Sequence, residues 1–383
     1  METADVLIVG GGPAGSSCAW KLHERGVDVL ILDKAQFPRH KVCAGWITPP
    51  IIKALALDTA EYQSQRILQP ITSFLTGLID GCEVETNYGQ TVSYGIRRCE
   101  FDDYLLRRSG ARLMLGETLQ SIRRDGTRWI VNDRICTSVI VGAGGHFCPV
   151  AKYLQTQSVE QTQVAHADDH VATPDLPVVV AQEVEFEMTA EQQVGCTVQA
   201  ERPELFFCPD LKGYGWVFRK GDFLNIGLGR EGESHLSTHV AEFVEFLKRR
   251  GKVSFPLPGR FLGHAYRLRS QSPRPVSGPG IVLIGDSIGL ADRQSGEGIW
   301  PAIDSGLICA ESIAEAGTSG RDQIADIYQS KLTQRFSHTT SSSLAAWLPG
   351  TVRLFMARRV MASRWFTRRV ILDRWFLHRS TSD

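Results

Sequence analysis

The sequence has no long apolar run, no paired-cysteine motif and no net charge. No uninterrupted apolar stretch approaches the roughly 18 residues that a membrane-spanning helix needs, so a transmembrane protein is not expected. The 42 basic residues balance the 42 acidic ones, which leaves no general attraction for nucleic acid. None of the nine cysteines belongs to a C-x-x-C pair or to a Cys/His cluster with zinc spacing. This pattern predicts reduced thiols in a reducing compartment, and no metal site.

Other distinguishing features are also missing. There is no internal repeat, no low-complexity tract and no basic-apolar signal segment before the first predicted strand, which indicates a cytoplasmic protein. What is present is ordinary for a globular enzyme: 383 residues, of which 43% are hydrophobic and 22% are charged. This length exceeds a single small core, so we expect two packed units with a terminal appendage.

Strand and helix patterns alternate at the start of the chain. An apolar run from Ala4 to Val9 ends in glycines, a helical pattern covers Gly15 to Arg25, and a second apolar run covers Val27 to Leu32. This strand–helix–strand unit predicts a parallel sheet. The segments 178–197 and 204–229 alternate like antiparallel strands of another sheet. The predicted fold class is therefore α/β, with a Rossmann-like domain, an antiparallel β-sheet domain and a helical C-terminal segment.

Local patterns complete the prediction of elements and domains. Cys82 to Thr86 and Thr91 to Tyr94 alternate around a glycine-containing tetrapeptide and predict a hairpin. The polar, turn-rich stretch 155–177 predicts a connecting loop, and the last forty residues are predicted to be helical. The expected domains are a dinucleotide-binding domain (1–75, 96–155 and 275–340), a substrate domain (76–95 and 156–274) and a C-terminal segment (341–383).

A glycine motif joins the first predicted strand to the first helix. Gly10-Gly11-Gly12-Pro13-Ala14-Gly15 fits G-x-G-x-x-G, whose glycines allow a tight turn, close approach of the backbone to a pyrophosphate, and close packing of helix on strand. The N-terminus of the helix then presents unpaired N–H groups and a partial positive charge to the phosphates. Asp33 lies 23 residues after Gly10, where a carboxylate can bind the adenosine ribose hydroxyls. The spacing predicts a dinucleotide site.

A second glycine-rich segment favours FAD over NAD. The buried-strand pattern from Ile281 to Ile284 ends in Gly285-Asp286, and Ser295-Gly296-Glu297-Gly298 precedes a long helical pattern. An acid after this strand can bind a polyol such as the ribityl chain. The N–H groups at the helix start can stabilise negative charge on a reduced flavin. An ordinary strand–loop–helix would not need the matching N-terminal unit, so the two segments together predict FAD.

With three further motifs, these residues resemble the geranylgeranyl reductase family, flavoproteins similar to p-hydroxybenzoate hydroxylase and related to flavin-dependent halogenases and monooxygenases. The resemblance runs from about Val6 to Gly306. Lys41-Val42-Cys43-Ala44-Gly45 is similar to the family's Cys-Gly segment beside the flavin, and Arg98-Cys99-Glu100-Phe101-Asp102 to its R-x-x-F-D segment, whose arginine contacts the cofactor. Tyr214-Gly215-Trp216-Val217-Phe218-Arg219-Lys220, followed by Gly227, resembles Y-x-W-x-F-P-K-x(6)-G beside the substrate cavity.

The resemblance implies reduction of carbon–carbon double bonds in a prenyl or other hydrophobic substrate, with NAD(P)H or another external reductant as electron source. The cofactor-binding residues that we expect are Gly10, Gly12, Pro13, Ala14, Gly15, Asp33, Lys34, Lys41, Cys43, Ala44, Arg98, Gly144, Gly285, Asp286, Gly296, Glu297, Gly298 and Ile299. The expected substrate-binding residues are Tyr214, Trp216, Phe218 and Phe206, and the expected catalytic residues are Cys43, Tyr214 and Trp216. Three positions depart from the family pattern: Arg219 and Arg293 replace prolines, and Gly144 replaces an aspartate.

The roles of these residues have alternatives. Tyr214 and Trp216 lie two apart, so on one strand they share a face and can wall a cavity, or they can belong to the core of an antiparallel sheet. Cys43 can be a proton donor, a flavin contact or a redox-active thiol, or it can be an inert buried cysteine.

The C-terminal segment also has two interpretations. Leu354, Met361, Trp365, Leu372 and Phe376 recur at spacings of 7, 4, 7 and 4 among eight arginines. Such a stripe suits a helix lying on an anionic membrane surface, here 351–379 on the inner face, or a helix packed on the enzyme or another subunit.

Two other functions are compatible with a flavin scaffold. A flavin monooxygenase would oxidise a hydrophobic or aromatic substrate with oxygen, although the halogenase segment W-x-W-x-I-P is absent because 213–220 contains one tryptophan. A flavin-binding redox sensor without catalysis is disfavoured by the Gly-Glu-Gly turn and the aromatic strand, which a sensor does not need.

Overall fold

The computed structural model describes residues 1–165, 178–232, 235–269, 276–318, 320–336 and 358–379. Contacts divide the chain into two units of three segments each. The first unit comprises Met1–His40, Phe101–Pro177 and Tyr266–His338, and the second comprises Lys41–Glu100, Val178–Ala265 and Thr339–Asp383. Contacts therefore group 41–75 with the antiparallel strands, whereas the sequence-based boundaries assign them to the cofactor domain. The functional boundaries stay a prediction.

An eight-stranded sheet forms the centre of the first unit. Its strands, numbered along the whole chain, are β1 (Glu2–Val9), β2 (Val29–Asp33), β8 (Arg112–Leu115), β9 (Ile122–Asp125), β10 (Arg128–Val131), β11 (Ile135–Gly142), β17 (Ser277–Gly278) and β18 (Ile281–Leu283). The main path is β17-β18-β11-β1-β2-β8, with β10 and β9 added beside β11. The pairs from β18 to β8 are parallel, so the predicted parallel sheet is confirmed. Their buried apolar runs suit strands that are covered on both faces.

Five helices contribute buried residues to the core that includes this sheet. They are α1 (Pro13–His23), α4 (Arg98–Arg108, which begins in the second unit), α5 (Pro149–Ala165), α8 (Ile299–Ala316) and α9 (Arg321–Phe336). The predicted loop 155–177 is wrong over 155–165, because these residues belong to α5. The remainder, 166–177, lies outside the described residues. Buried Val150 and Ala151 anchor α5, and its polar continuation includes Gln155 and Gln157, a residue type that loses little rotamer freedom in a helix.

The second unit contains a seven-stranded and a three-stranded sheet. The strands are β3 (Trp46–Ile47), β4 (Leu68–Ile71), β5 (Ser73–Leu78), β6 (Glu83–Asn87), β7 (Ser93–Ile96), β12 (Val178–Glu187), β13 (Glu204–Phe207), β14 (Gly213–Lys220), β15 (Phe223–Glu231) and β16 (Leu262–Arg267). The larger sheet has the order β16-β12-β15-β14-β13-β5-β6 and the smaller β3-β7-β4. The antiparallel meander β13–β14–β15 confirms the second predicted sheet.

Two local predictions in this unit are wrong. β6 pairs with β5, and β7 pairs with β3 and β4, so the two strands lie in different sheets and form no hairpin. The turn after β6 redirects the chain: the Gly89 N–H binds the Asn87 side chain and the Tyr88 N–H binds the Thr72 carbonyl. β12 ends at Glu187, ten residues before the predicted end, because a Thr189–Gln192 capping box starts helix α6 (Ala190–Val194).

Opposite faces of the seven-stranded sheet carry different helices. The remaining helices are α2 (Pro49–Ala54), α3 (Thr59–Gln63), α7 (Leu236–Arg249) and α10 (Arg364–Phe366), which continues into the π-helical segment Thr367–Phe376. Val240, Phe243 and Leu247 recur at helical spacing and bury α7 on one face. Ile371, Leu372 and Phe376 bury the C-terminal helix, defined here as 364–376, on the other. Within the described parts of the chain, no helix combines the length and apolarity needed to cross a membrane.

Candidate functional site

The glycine motif forms the turn between β1 and α1. Gly10 has φ +116°, a conformation that side chains with a Cβ rarely adopt. An ideal Cβ at Gly10 would also lie 2.8 Å from the Gly144 amide nitrogen, at the end of the neighbouring strand β11. The Gly12 N-cap offers no side-chain hydrogen bond to the first turn of α1. The N–H groups of this turn are therefore left for an anion, as a bound pyrophosphate requires.

Two charged groups flank this turn within the first unit. Asp33, at the end of β2, accepts hydrogen bonds from the Gly11 N–H at 2.7 Å and the Ala35 N–H at 2.8 Å, one on each carboxylate oxygen. Arg39 forms an ion pair with the fully buried Asp102 at 3.2 Å. One nitrogen of the Arg39 guanidinium lies 3.3 Å from the ideal Cβ position of Gly12. The glycine turn therefore has the Asp33 carboxylate on one side and the Arg39 guanidinium, held by Asp102, next to Gly12.

The second predicted segment lies beside the first. Gly285 begins a 3-10 turn after β18, and its ideal Cβ position is 3.1 Å from the Ala14 Cβ in α1. The Asp286 Oδ1 lies 3.4 Å from the ideal Cβ position of Gly298, the N-cap of α8, which also offers no side-chain cap. Two uncapped helix N-termini, a guanidinium and two carboxylates fit the pyrophosphate, ribose and polyol groups of FAD.

The loop before α8 is organised by one carboxylate. Asp292 Oδ1 accepts hydrogen bonds from the Gln294 N–H at 2.9 Å and the Ser295 N–H at 3.0 Å. The Gly296 N–H donates to the Asp292 carbonyl at 3.0 Å. These bonds fix the Gly296-Glu297-Gly298 turn, so the start of α8 has a defined position in the first unit.

In the second unit, β14 places Tyr214, Trp216, Phe218 and Lys220 on one face of the sheet. Three of these side chains join an aromatic cluster, which consists of Trp46, Phe74, Tyr214, Trp216, Phe218 and Phe376. Within it, the Trp46 and Phe376 rings stack with centroids 5.2 Å apart, and Tyr214 meets Phe376 edge-on at 5.5 Å. Gly227 on β15 leaves room for the Trp216 indole. Trp216 and Phe218 are buried, whereas Tyr214 is half-buried.

Next to the aromatic cluster is a polar cluster of Glu183, Glu185, Lys220 and Asn225. Lys220 is 1% exposed, and its Nζ forms an ion pair with Glu185 Oε1 at 2.7 Å. The Glu183 Oε2 accepts a hydrogen bond from the Cys43 N–H at 2.8 Å. Asn225 Nδ2 donates to Glu183 at 3.2 Å and to Glu185 at 3.3 Å. Four polar side chains thus satisfy one another on a face that is otherwise apolar.

The two carboxyl groups of this cluster have opposite pKa shifts. Burial raises the pKa of Glu183 to about 8, although Lys220 and the Cys43 N–H act against the shift. Burial alone would also raise the pKa of Glu185, but the Lys220 ammonium, the Arg97 guanidinium and the Asn225 amide together outweigh it, and the net pKa lies below the usual value. Glu185 is therefore ionised at neutral pH and Glu183 keeps its proton, so a single negative charge faces the buried lysine.

Comparisons with known proteins agree with this arrangement. A family described as FAD dependent oxidoreductase matches residues 5–81. The digeranylgeranylglycerophospholipid reductase of Methanocaldococcus jannaschii is 27% identical over 82% of this chain and 78% of its own, and the menaquinone reductase of Mycobacterium tuberculosis is 26% identical over 88% and 81%. A geranylgeranyl bacteriochlorophyll reductase-like protein from Thermoplasma acidophilum shares the fold, with TM-score 0.69, 20% identity, and coverage of 94% of this chain and 88% of that one.

The chain is an FAD-dependent oxidoreductase related to the geranylgeranyl reductases. The same fold occurs in a flavin-dependent brominase, with TM-score 0.67, 18% identity, and coverage of 98% of this chain and 92% of that one. At this identity the likeness concerns the fold alone.

Most predicted site residues of the oxidoreductase fall into two groups, one in each unit. In the first unit, the glycine turn, Asp33, Gly144 and the 285–299 segment lie together, and Lys34 is exposed. In the second unit, Lys41 Nζ hydrogen-bonds His264 Nε2 at 2.6 Å, Cys43 and Ala44 are half-buried, and Arg98 is buried. Their roles stay predictions.

One predicted substrate-binding residue, Phe206, does not lie with the other three. Phe206 pairs with Gly215 and packs against Phe243 and Phe246 under α7, on the face opposite Tyr214. Residues that the sequence analysis missed include Arg39 and the acids Glu183 and Glu185. Arg39 could have been suspected from its place between the glycine motif and the Cys43 segment. The two acids alternate with apolar residues, a pattern typical of a solvent-facing strand side.

Proposed function

We propose that the protein uses reduced FAD to saturate carbon–carbon double bonds of a prenyl or similarly hydrophobic substrate. The observation that carries the proposal is the sheet face of the second unit. On this face the aromatic cluster, with its half-buried Tyr214, lies beside the polar cluster, where Glu183, which holds its proton, accepts the N–H of the half-buried Cys43. Reduction of an unactivated alkene needs an apolar surface for the chain and a nearby proton, and water must be excluded. The names of the relatives point to the same substrate class.

In this proposal each unit has its own task. Bound FAD would supply the hydride. The glycine turn with Arg39 would hold the pyrophosphate, Asp33 the adenosine ribose, and Asp286 the ribityl chain. The N-terminus of α8 would stabilise negative charge at the far end of the cofactor. Cys43 Sγ would deliver the proton to the second alkene carbon, and Tyr214 would contact the substrate. Trp216 and Phe218 would support that surface, and Phe206, on the other face, has no part.

The electron source that we propose is external. The sequence contains one G-x-G-x-x-G unit with the strand, helix and acid of a dinucleotide site, and FAD would use it. Electrons would therefore come from transiently bound NAD(P)H or from a separate redox carrier. Stopped-flow bleaching of bound FAD with NADPH, NADH and a reduced ferredoxin separates these donors.

The exposed side of the C-terminal segment is proposed to contact an anionic membrane. Within 358–379 all seven arginines are exposed, Trp365 is 69% exposed, and the single acid, Asp373, accepts a hydrogen bond from Tyr88. The predicted stripe is divided: Leu372 and Phe376 pack on the protein, Trp365 points outward, and Leu354 lies outside the described residues. Arginines with an interfacial tryptophan suit anionic headgroups. A lipid substrate would then be collected at the inner face of the membrane from the cytoplasmic side.

Vesicle binding tests this contact. The double variant Arg364→Glu/Arg374→Glu should bind phosphatidylglycerol-containing vesicles at least about tenfold more weakly, since each arginine near an anionic surface contributes about 1 kcal/mol. The matched control, Arg124→Glu/Arg128→Glu, makes the same charge change on an exposed hairpin of the first unit and should bind normally. Equal binding by both variants, or equal binding to neutral vesicles, would exclude the proposed surface.

Anaerobic turnover tests the main proposal. Chemically reduced protein is incubated with digeranylgeranylglycerophospholipid or menaquinone, and products are examined by mass spectrometry. We expect an increase of about two mass units per double bond. Cys43→Ala should lower turnover about a hundredfold or more, the usual contribution of a positioned acid, whereas Phe206→Leu should have little effect. Product that forms only with stoichiometric oxygen uptake would instead establish the monooxygenase alternative, which the fold of the brominase keeps open.

A further inference from the structure

The peptide groups of Cys43 are held from both sides by two buried side chains. Glu183 on β12 accepts the Cys43 N–H at 2.8 Å, and Asn225 on β15 donates from Nδ2 to the Cys43 carbonyl oxygen at 3.2 Å. β12 and β15 are antiparallel neighbours, so the two contacts come from one rigid pair of strands. Glu183 and Asn225 are each 1% exposed, and water cannot readily compete for these hydrogen bonds.

A third side chain fixes the orientation of Asn225. The Trp216 Nε1–H donates to Asn225 Oδ1 at 2.7 Å. Because an indole N–H can only donate, the amide oxygen must face Trp216 and the amide NH₂ must face Cys43. The same NH₂ reaches Glu183 Oε2 at 3.2 Å. Trp216, Asn225 and Glu183 therefore form one connected chain of hydrogen bonds that ends on the Cys43 peptide groups.

The thiol itself is restrained by the residue two positions later. The Gly45 N–H donates to Cys43 Sγ at 3.3 Å. Gly45 has φ +68°, and Lys220 Nζ lies 2.6 Å from its ideal Cβ position. A larger residue at 45 would therefore be strained and would displace the lysine. With the peptide groups held and Gly45 confined, few orientations remain for the Cys43 side chain.

We propose that Glu183 and Asn225 are positioning residues for Cys43, holding its backbone so that the thiol keeps one orientation. Both act through Cys43, and neither needs to touch the substrate. The importance of this orientation for catalysis rests on the proposed function. The positioning itself can be measured without substrate, cofactor reduction or turnover, so failure of one proposal is distinguishable from failure of the other.

Site-resolved alkylation is the test. The flavin-loaded protein is treated with iodoacetamide at pH 7.5, and the labelling rate of each cysteine is read from its peptide by mass spectrometry. Cys82 is exposed and provides an internal reference, while Cys196 and Cys208 are buried in the same unit and report general loosening. Glu183→Leu removes the acceptor for the Cys43 N–H. Glu183→Gln keeps a side-chain oxygen there and serves as the conservative rescue.

In Glu183→Leu we expect iodoacetamide to label Cys43 about fivefold faster than in the wild type. Loss of one hydrogen bond increases the population of the locally open state by about this factor. Glu183→Gln should label at the wild-type rate, and Cys82, Cys196 and Cys208 should be unchanged in both. An unchanged Cys43 rate in Glu183→Leu would overturn the proposal, as would a parallel rise at the buried cysteines. If Glu183→Leu does not fold, Asn225→Ala carries the same test, because it removes the bond to the Cys43 carbonyl without burying a larger group.

Discussion

The buried carboxyl of Glu183 makes the stability of the protein depend on pH in a direction opposite to that of most carboxyl groups. Burial raises its pKa from 4.5 to about 8. Between these values the folded protein retains a proton that the unfolded chain has lost, so the free energy of unfolding falls as pH rises. The contribution is most favourable below pH 4.5 and is lost progressively up to about pH 8. Glu183→Gln removes this titration and keeps the size of the side chain.

The magnitude follows from the two pKa values. One proton bound only by the folded state changes the free energy of unfolding by about 1.4 kcal/mol per pH unit. Between pH 6 and pH 9 the linkage relation gives a loss of about 3 kcal/mol for the wild type relative to Glu183→Gln, most of it before pH 8. A loss of this size is a large share of the 5–15 kcal/mol that typically stabilises a folded protein.

Urea denaturation at pH 6, 7, 8 and 9, followed by tryptophan fluorescence, measures this effect. Relative to Glu183→Gln, the wild type should steadily lose unfolding free energy as the pH rises to 8, and the difference should then level off. The exposed Glu191→Gln serves as control and should follow the wild type at every pH. Parallel pH profiles for the wild type and Glu183→Gln would refute the assignment of a protonated, buried carboxyl.

Three further predictions concern the cofactor site, the aromatic cluster and the C-terminal helix. Asp33→Ala should weaken FAD binding about ten- to a hundredfold in fluorescence titrations, because the Gly11 N–H of the glycine turn loses its acceptor. Gly227→Ala should lower the free energy of unfolding by about 1–3 kcal/mol, since the added methyl meets the Trp216 indole. Tyr88→Phe should destabilise the second unit by about 1–2 kcal/mol and speed proteolysis of the C-terminal helix, because Asp373 loses its phenol donor.

Each of these predictions has a matched control. Asp125→Ala changes an exposed acid of the first unit and should bind FAD normally. Gly263→Ala meets only atoms 3.9 Å away and should leave stability unchanged, as should Tyr94→Phe, whose hydroxyl has no hydrogen bond among the described residues. Normal FAD affinity in Asp33→Ala would contradict the first prediction. Equal stability of Gly227→Ala and Gly263→Ala would contradict the second, and wild-type proteolysis of Tyr88→Phe the third.

The fold around the candidate cofactor site of the first unit was largely predictable because it depends on local geometry. A strand, a glycine turn and a helix follow one another within about thirty residues of a Rossmann-like motif, and the acid at the end of β2 must return to the same end of a parallel sheet. The second glycine-rich segment obeys the same rule. What escaped prediction there was Arg39, since its place beside Gly12 depends on the ion pair with Asp102, sixty-three residues away.

The second unit was predictable only in outline. The alternation of β13, β14 and β15 indicates antiparallel strands, and the resemblance points to the residues 214–220 and 43. The hairpin across 87–90 was wrong because turn chemistry is local, whereas the partner of a strand is chosen by distant segments. Phe206 was grouped with Tyr214 although strand pairing sets it opposite Gly215, on the other face.

By itself, the sequence determined the strand, glycine turn and helix at the start of a parallel sheet and predicted a dinucleotide there, because the positions of the glycines and the acid leave the backbone few alternatives. Only the tertiary structure decided that Glu183 is a buried carboxyl that accepts a hydrogen bond from the Cys43 N–H. A strand in which charged and apolar residues alternate has the same sequence pattern whether its charged face is exposed to water or buried against another element. Which of the two it meets depends on the elements that cover the sheet, here the Cys43 segment, β14 and β15, and that choice sets the pKa of the carboxyl.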